Sequence, residues 1–239
     1  MPMTGYYEKN LSGRRLQHCY EIAPPRVRQY LDAEIEHVIS RLRPSDTVLE
    51  LGCGYGRVAL RLAETARHVV GIDTSLESIA LARELAGDDS RCRFRVMDAL
   101  DLCYQDASFD AVVCVQNGIC AFGVDREALL REALRVARPG GRVLFSTYSD
   151  RFWPHRLEWF EAQAEAGLVG EIDHSLSGNG VIVCEDGFRV GRMSREDWKN
   201  LCARVGVEPG ITEVDGSSVF CEIAMRKEER IDHESAGRS

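Results

Sequence analysis

Between residues 27 and 42 the apolar positions Val27, Tyr30, Leu31, Ile35, Val38, Ile39 and Leu42 recur at three- and four-residue spacing. That spacing predicts one amphipathic helix. Pro24-Pro25 suit its start, where a missing N–H costs nothing, and Arg43-Pro44 ends it. From 47 to 149 the pattern changes. Short, near-continuous apolar runs, at 48–51, before Asp73, before Asp98, over 109–115 and over 141–149, alternate with helix-like segments. Such alternation predicts a parallel sheet covered by helices on both faces.

After Ser149 the rhythm breaks again. Arg151 to Ala166 reads as a helix rich in aromatic residues, with Phe152, Trp153, Leu157, Trp159 and Phe160. Residues 169–193 read as irregular strands. Val181–Cys184 and Phe188–Gly191 flank Glu185-Asp186-Gly187, a hairpin signal. Ser194 is a fitting N-cap for a helix running to Arg204. Ile211–Val214 and Ser218–Met225, with Gly216 between them, read as an antiparallel closing pair. Residues 1–226 are expected to form one domain with an N-terminal arm (1–25) and an insertion (150–193), and the charged segment 227–239 a flexible tail.

One turn carries the chemistry. Val48-Leu49-Glu50-Leu51 runs into Gly52-Cys53-Gly54-Tyr55-Gly56, and a helix-like segment follows from Arg57. Glycines at alternate positions allow a tight turn and close approach of a ligand to the backbone. Asp73 ends the next apolar run, 21 residues after Gly52, where an acid suits the two hydroxyls of a ribose. The unit reads as the first βαβ of a nucleoside-binding, Rossmann-like α/β sheet. A dinucleotide fingerprint needs a small residue at the third position of G-x-G-x-x-G/A. Here that position is Arg57, and the acid Glu50 stands two residues before the first glycine. Both count against NAD, because a pyrophosphate favours a loop free of acids. A nicotinamide oxidoreductase therefore ranks last among the readings.

The spacing E-L-G-C-G-Y-G resembles motif I of class I S-adenosylmethionine (SAM)-dependent methyltransferases. Further segments resemble the same family in order: Val96-Met97-Asp98-Ala99, then Ser108 to Val115, then Arg135 to Leu144. The resemblance implies a doubly wound seven-stranded sheet, mostly parallel with an antiparallel closing strand. It implies SAM as cofactor and S-adenosylhomocysteine as product. It places the glycine turn against the methionine part, Asp73 at the ribose and Asp98 near the adenine amino group. The implied cofactor set is Glu50, Gly52, Cys53, Gly54, Gly56, Asp73, Thr74, Asp98, Ala99, Gln116 and Tyr7. Tyr7 enters because an aromatic face attracts a cation such as a sulfonium.

Net charge is −8, which disfavours nucleic acid as a partner. No apolar run approaches a membrane span. The nine cysteines are scattered without a C-x-x-C, so neither a disulfide framework nor a metal site is expected, and cytoplasm is the default. The expected partner is a small-molecule acceptor, with a monomer or a homodimer both open. Methylation of a protein side chain, or SAM binding without turnover, are the alternatives.

Candidates at the acceptor are Asn117, Tyr148, His155 and His174. Asn117-Gly118-Ile119-Cys120 lacks the prolines and aromatic residue of relatives that methylate amide or nucleobase nitrogen. Asn117 then orients a substrate or simply serves a turn. Tyr148 and Asp150 end the fifth strand and are expected to face the pocket. A histidine is the commonest general base, which brings in His155 and His174. The aromatic residues at 152–160 suit an apolar acceptor pocket or the core. Glu171, Asp173 and Glu185 suggest an amine acceptor or a solvated rim.

Overall fold

The computed structural model describes residues 5–226; the tail expected over 227–239 lies outside them. The alternating runs become strands β1 (Thr47–Leu51), β2 (His68–Asp73), β3 (Cys92–Val96), β4 (Phe109–Cys114) and β5 (Ala137–Tyr148), all parallel. Beyond β5 lie β8 (Gly210–Val214) and β9 (Ser218–Ala224). The sheet order is β3-β2-β1-β4-β5-β9-β8, with β9 antiparallel to both of its neighbours. Strand order reverses between β1 and β4, and ligands of open α/β sheets bind beyond the C-terminal strand ends at such a point.

Period-2 alternation sorts the strand residues into two layers. Val48, Val69, Ala111, Val113 and Leu144 pack with helices α3 (Pro25–Ile39), α4 (Arg57–Leu62) and α5 (Leu76–Ala86). Leu49, Ile72, Val112, Cys114 and Phe145 pack with α7 (Arg126–Val136) and α9 (Arg195–Val205), a short α6 (Gly118–Ala121) lying beside them. Pro25 is the first residue of α3, as its sequence suggests. Ser194 caps α9 in a reciprocal capping box with Asp197. Pro139-Gly140-Gly141 lie inside β5, at a register irregularity against β4.

The segments at either end of the sheet meet. The arm is two short helices, α1 (Tyr6–Asn10) and α2 (Gly13–Glu21). On one side it rests on α5, where Ser12 Oγ donates to Glu77 at 2.9 Å. On the other it rests on the insertion, which holds α8 (Trp153–Glu165) and the hairpin β6 (Ile182–Val183) and β7 (Arg189–Val190). Arg156, fully buried, donates to the carbonyls of Gly180, Val190 and Gly191 and so ties the hairpin to α8. No helix among the described residues is long and apolar enough to cross a membrane.

Candidate active site

The C-terminal ends of β1, β2 and β4, the loop after β3, the arm and α8 enclose a cavity of about 440 Å³. Its floor begins at the glycine turn. Gly52 has φ +69° and Gly54 φ +52°, the left-handed region that side chains resist. A Cβ at Gly52 would overlap the Phe122 ring, and one at Gly54 would stand 2.8 Å from Leu16 Cδ2. The turn is thus a backbone surface that side chains of other elements approach closely.

Asp73 braces that surface. Its Oδ2 accepts the N–H of Gly54 at 2.9 Å and its Oδ1 that of Ser75 at 2.8 Å. Burial raises its pKa, and these N–H groups oppose the rise. Glu50 is more deeply buried, at 3% exposure. Burial pushes its carboxyl up to about 8 against the opposing charge of Arg57, and Oε2 has no hydrogen-bond partner. Thr74, Asp98, Ala99, Cys53, Gly56-adjacent Tyr55 and Gln116 also face the cavity. Asp98 is exposed and accepts the N–H of Leu100 at 2.9 Å.

Gln116 and Asn117 both adopt left-handed backbone, φ +56° and +65°. Two partners fix the first: the Gln116 N–H lies 2.8 Å from Glu34 Oε2 and 2.9 Å from Ser146 Oγ. Glu34, fully buried on α3, is pushed up to about 7 by burial. The Gln116 side chain points to the arm, where Tyr20 Oη donates to its Oε1 at 3.2 Å.

Tyr6 and Tyr7 of α1, Tyr148 of β5, Trp159 and Phe160 of α8, and Phe122 give the cavity an aromatic lining. Burial raises the hydroxyl of Tyr148 to about 12 and that of Tyr7 well above its usual value, so both stay protonated at neutral pH. Two clasps close the roof. Tyr6 Oη donates to the Asp186 carboxylate, and Trp159 Nε1 donates to the Cys19 carbonyl at 2.9 Å.

Most of the residues read from the sequence converge here: Glu50, Gly52, Cys53, Gly54, Asp73, Thr74, Asp98, Ala99, Gln116, Tyr7 and Tyr148 all line the cavity. Gly56 does not; it closes the turn, and a Cβ there would crowd Phe94 and Ala82. Three acceptor candidates are corrected. Asn117 turns away, and its Nδ2 donates to the Gly191 carbonyl at 2.9 Å. His155 lies on the outer face of α8 beside Glu158, and His174 on the surface beside Glu161, neither lining the cavity. Asp150 pairs with Arg192 instead of facing the pocket. Glu171, Asp173 and Glu185 also lie outside the lining, so the acids of the insertion give no ground for an amine acceptor. The aromatic helix splits: Trp159 and Phe160 reach the cavity, whereas Phe152 does not line it and packs behind it with Tyr30, Tyr148 and Trp159.

Sequence reasoning missed Arg57, Tyr20 and Phe122 as lining residues and Glu34 beneath Gln116. Arg57 had one visible signal: a charged residue directly after the third glycine, at a position that faces the core.

Residues 48–141 match the family model described as "Methyltransferase domain". A 2-methyl-6-phytyl-1,4-hydroquinone methyltransferase from Synechocystis is 29% identical, covering 73% of this chain and 59% of that protein. A 27-O-demethylrifamycin SV methyltransferase from Amycolatopsis mediterranei is 33% identical, covering 72% of this chain and 57% of that one. The chain thus spans less than two thirds of the length of both. Among solved structures, the DhpI–SAM–HEP complex superposes with a TM-score of 0.63 at 23% identity, covering 91% of this chain and 94% of that one. The chain belongs to the class I SAM-dependent methyltransferase family. The residues present fit that cofactor: a bare glycine surface, a strand-end acid for a ribose, and buried Glu50 and Arg57 atoms that lack partners.

Proposed function

We propose that this chain transfers the methyl group of SAM to a small acceptor with a flat, apolar body. One observation carries the reading. The glycine turn with its acids and the aromatic lining belong to a single cavity, roofed by the arm and the insertion. SAM supplies an electrophilic methyl group on its sulfonium. The chain's own part is to hold, align and shield. Asp73 and the glycine turn hold one partner, while Tyr7, Tyr148, Trp159 and Phe160 offer faces against which a flat acceptor stacks. Alignment and exclusion of water account for much of the acceleration in such reactions. No histidine lines the cavity among the described residues, and the tyrosines stay protonated, so an acceptor that needs no strong base fits best. The roof favours a small molecule over a protein side chain. Eight of the nine cysteines are buried and all are free thiols, which fits a cytoplasmic setting.

Turnover is tested by following S-adenosylhomocysteine formation from SAM with a panel of phenols, quinols, carboxylic acids and amines. Product above the acceptor-free rate with a flat aromatic member supports the reading. Tight SAM binding without turnover on any member makes the protein a SAM-binding module. Turnover confined to aliphatic amines overturns the acceptor class.

A further inference from the structure

Arg156 of α8 is fully buried, yet its hydrogen-bond partners are neutral carbonyls, those of Gly180 at 2.8 Å, Val190 at 3.1 Å and Gly191 at 3.2 Å. Among the described residues no carboxylate pairs with it, and its Nε has no partner. A buried charge is normally paired with an opposite one, because its desolvation is costly. A guanidinium cannot escape that cost by losing its proton. The cation stands behind the cavity and is not part of its lining. Its guanidinium carbon lies 4.3 Å from the centre of the Tyr148 ring and 5.8 Å from that of Phe160, and both rings do line the cavity. Two of the faces offered to a flat acceptor thus have an uncompensated positive charge behind them. The other titratable groups at this wall come from α1, α3 and α6. Tyr7, Tyr30 and Cys120 are raised by burial and stay neutral near pH 7. Glu34, held at about 7 and so partly protonated there, acts on Tyr148 in the opposite sense to Arg156, and less strongly.

We propose that Arg156 sets the acceptor class: this wall of the cavity favours a flat acceptor whose methylated oxygen is ionised when bound (a phenolate, an enolate or a carboxylate) over a neutral hydroxyl or an amine. The inference rests on the methyltransferase reading and narrows its acceptor. Arg156 touches no substrate atom, so it is a positioning residue that acts through the field behind Tyr148 and Phe160. Inside a cavity that excludes water such a field is screened far less than at the surface. An ionised oxygen has already released its proton to solvent. Its lone pair forms the O–C bond as the bond from the methyl carbon to sulfur breaks and that pair stays on sulfur. No base is then required, in a cavity whose lining holds no histidine among the described residues.

The test is the ionisation of 4-nitrophenol, whose phenolate absorbs visible light, in the complex of the protein with S-adenosylhomocysteine. The sulfur of that ligand is neutral, so no sulfonium charge contributes. 4-Nitrotoluene serves as the uncharged isostere. In the wild type the bound probe should ionise about one pH unit or more below the free probe, and the phenolate should bind about tenfold or more tighter than 4-nitrotoluene. Arg156→Met should remove most of the shift and of the preference, and Arg156→Lys, which keeps the charge, should restore part of both. Glu34 is present in every protein, so its opposing charge cancels in the comparison. An unchanged or raised ionisation in the wild type, or a lowered one that persists in Arg156→Met, overturns the inference and leaves the flat-acceptor reading standing. A protein that binds S-adenosylhomocysteine but neither probe overturns that reading, and this inference with it. If Arg156→Met fails to fold, Arg156→Gln, which can still donate to the carbonyls, takes its place with the same two outcomes.

Discussion

Asp73 and Gly54 are joined by a hydrogen bond of 2.9 Å across 19 residues of chain, with the backbone N–H of the second glycine donating to Oδ2. The other oxygen accepts from Ser75. An acid expected to serve a ribose therefore braces the glycine turn that the SAM reading sets against the cofactor. Each oxygen keeps a further lone pair for a ligand hydroxyl. In Asp73→Asn the amide has one acceptor oxygen for two N–H groups. Expected results are faster amide exchange at Gly54 or Ser75 and S-adenosylhomocysteine affinity lowered about tenfold or more. Unchanged affinity by calorimetry would remove Asp73 from the site.

Gly52→Ala places a methyl group where the Phe122 ring lies, on a residue with φ +69°. The left-handed backbone alone costs about 1–2 kcal/mol for an L-residue. A fall of about 2–8 °C in unfolding midpoint is expected, together with loss of adenosyl-ligand binding. The double variant Gly52→Ala/Phe122→Ala should recover part of the midpoint, since it removes the overlap but leaves the strained φ. Scanning fluorimetry of the three proteins reads the difference, and no recovery would show that the ring is not the obstacle.

Glu50 makes ligand binding depend on pH. Burial raises its carboxyl to about 8 without ligand, so it is mostly protonated at pH 7. Under the SAM reading the methionine part lies at the glycine turn, and its ammonium favours the charged form of a nearby carboxylate. Binding of S-adenosylhomocysteine at pH 7 should therefore release close to one proton, and affinity should rise from pH 6 to pH 7. Glu34, pushed up to about 7 and also subject to the Arg57 charge, is the neighbouring group that can share the release. Calorimetry in two buffers of different ionisation enthalpy counts the protons. Glu50→Gln should abolish most of the release, and an undiminished count in that variant would move the titration to Glu34.

The same raised groups act on stability. Between the unfolded value of about 4.3 and their folded values, Glu34 and Glu50 hold more protons in the folded than in the unfolded chain. Their contribution is full below that window and is lost as pH rises through about 7 and 8. Denaturant unfolding without ligand should show stability falling from pH 5 to pH 8, with a shallower slope in Glu34→Gln. An identical slope in the variant would show that Glu34 titrates alike in both states.

The roof is held by few contacts. Tyr6 donates to Asp186, and Arg15 donates to the Gly167 carbonyl at 2.9 Å. Tyr6→Phe should raise amide exchange over residues 5–21 and speed S-adenosylhomocysteine release several-fold, with little change in melting temperature. Equal exchange in variant and wild type would place the hold in apolar packing, such as that of Tyr6 on Phe188.

Much of the site was legible because its signals are local. Glu50, Gly52, Gly54 and Asp73 stand at strand ends, and a strand end in a parallel sheet has only one place to point. Acceptor candidates fared less well. Asn117, His155 and His174 were chosen for their chemistry, and chemistry does not say which way a side chain faces. Gly191 takes up the amide of Asn117, and the phase of α8 turns His155 outward while Trp159 and Phe160 turn inward. Nothing near Tyr20 in the chain announces that its ring carries Arg57.

By itself the amino-acid sequence determined the alternating strands and helices, the glycine turn, the acids that follow it and the antiparallel closing pair, since periodicity and turn chemistry act over a few neighbouring residues. Only the tertiary structure decided the roof and the aromatic lining of the cavity. Those depend on contacts such as Trp159 to Cys19, 140 residues apart, and on a buried Glu34 of α3 that holds Gln116, in the turn after β4, in a left-handed conformation. Long-range packing energy, rather than local preference, selects those partners.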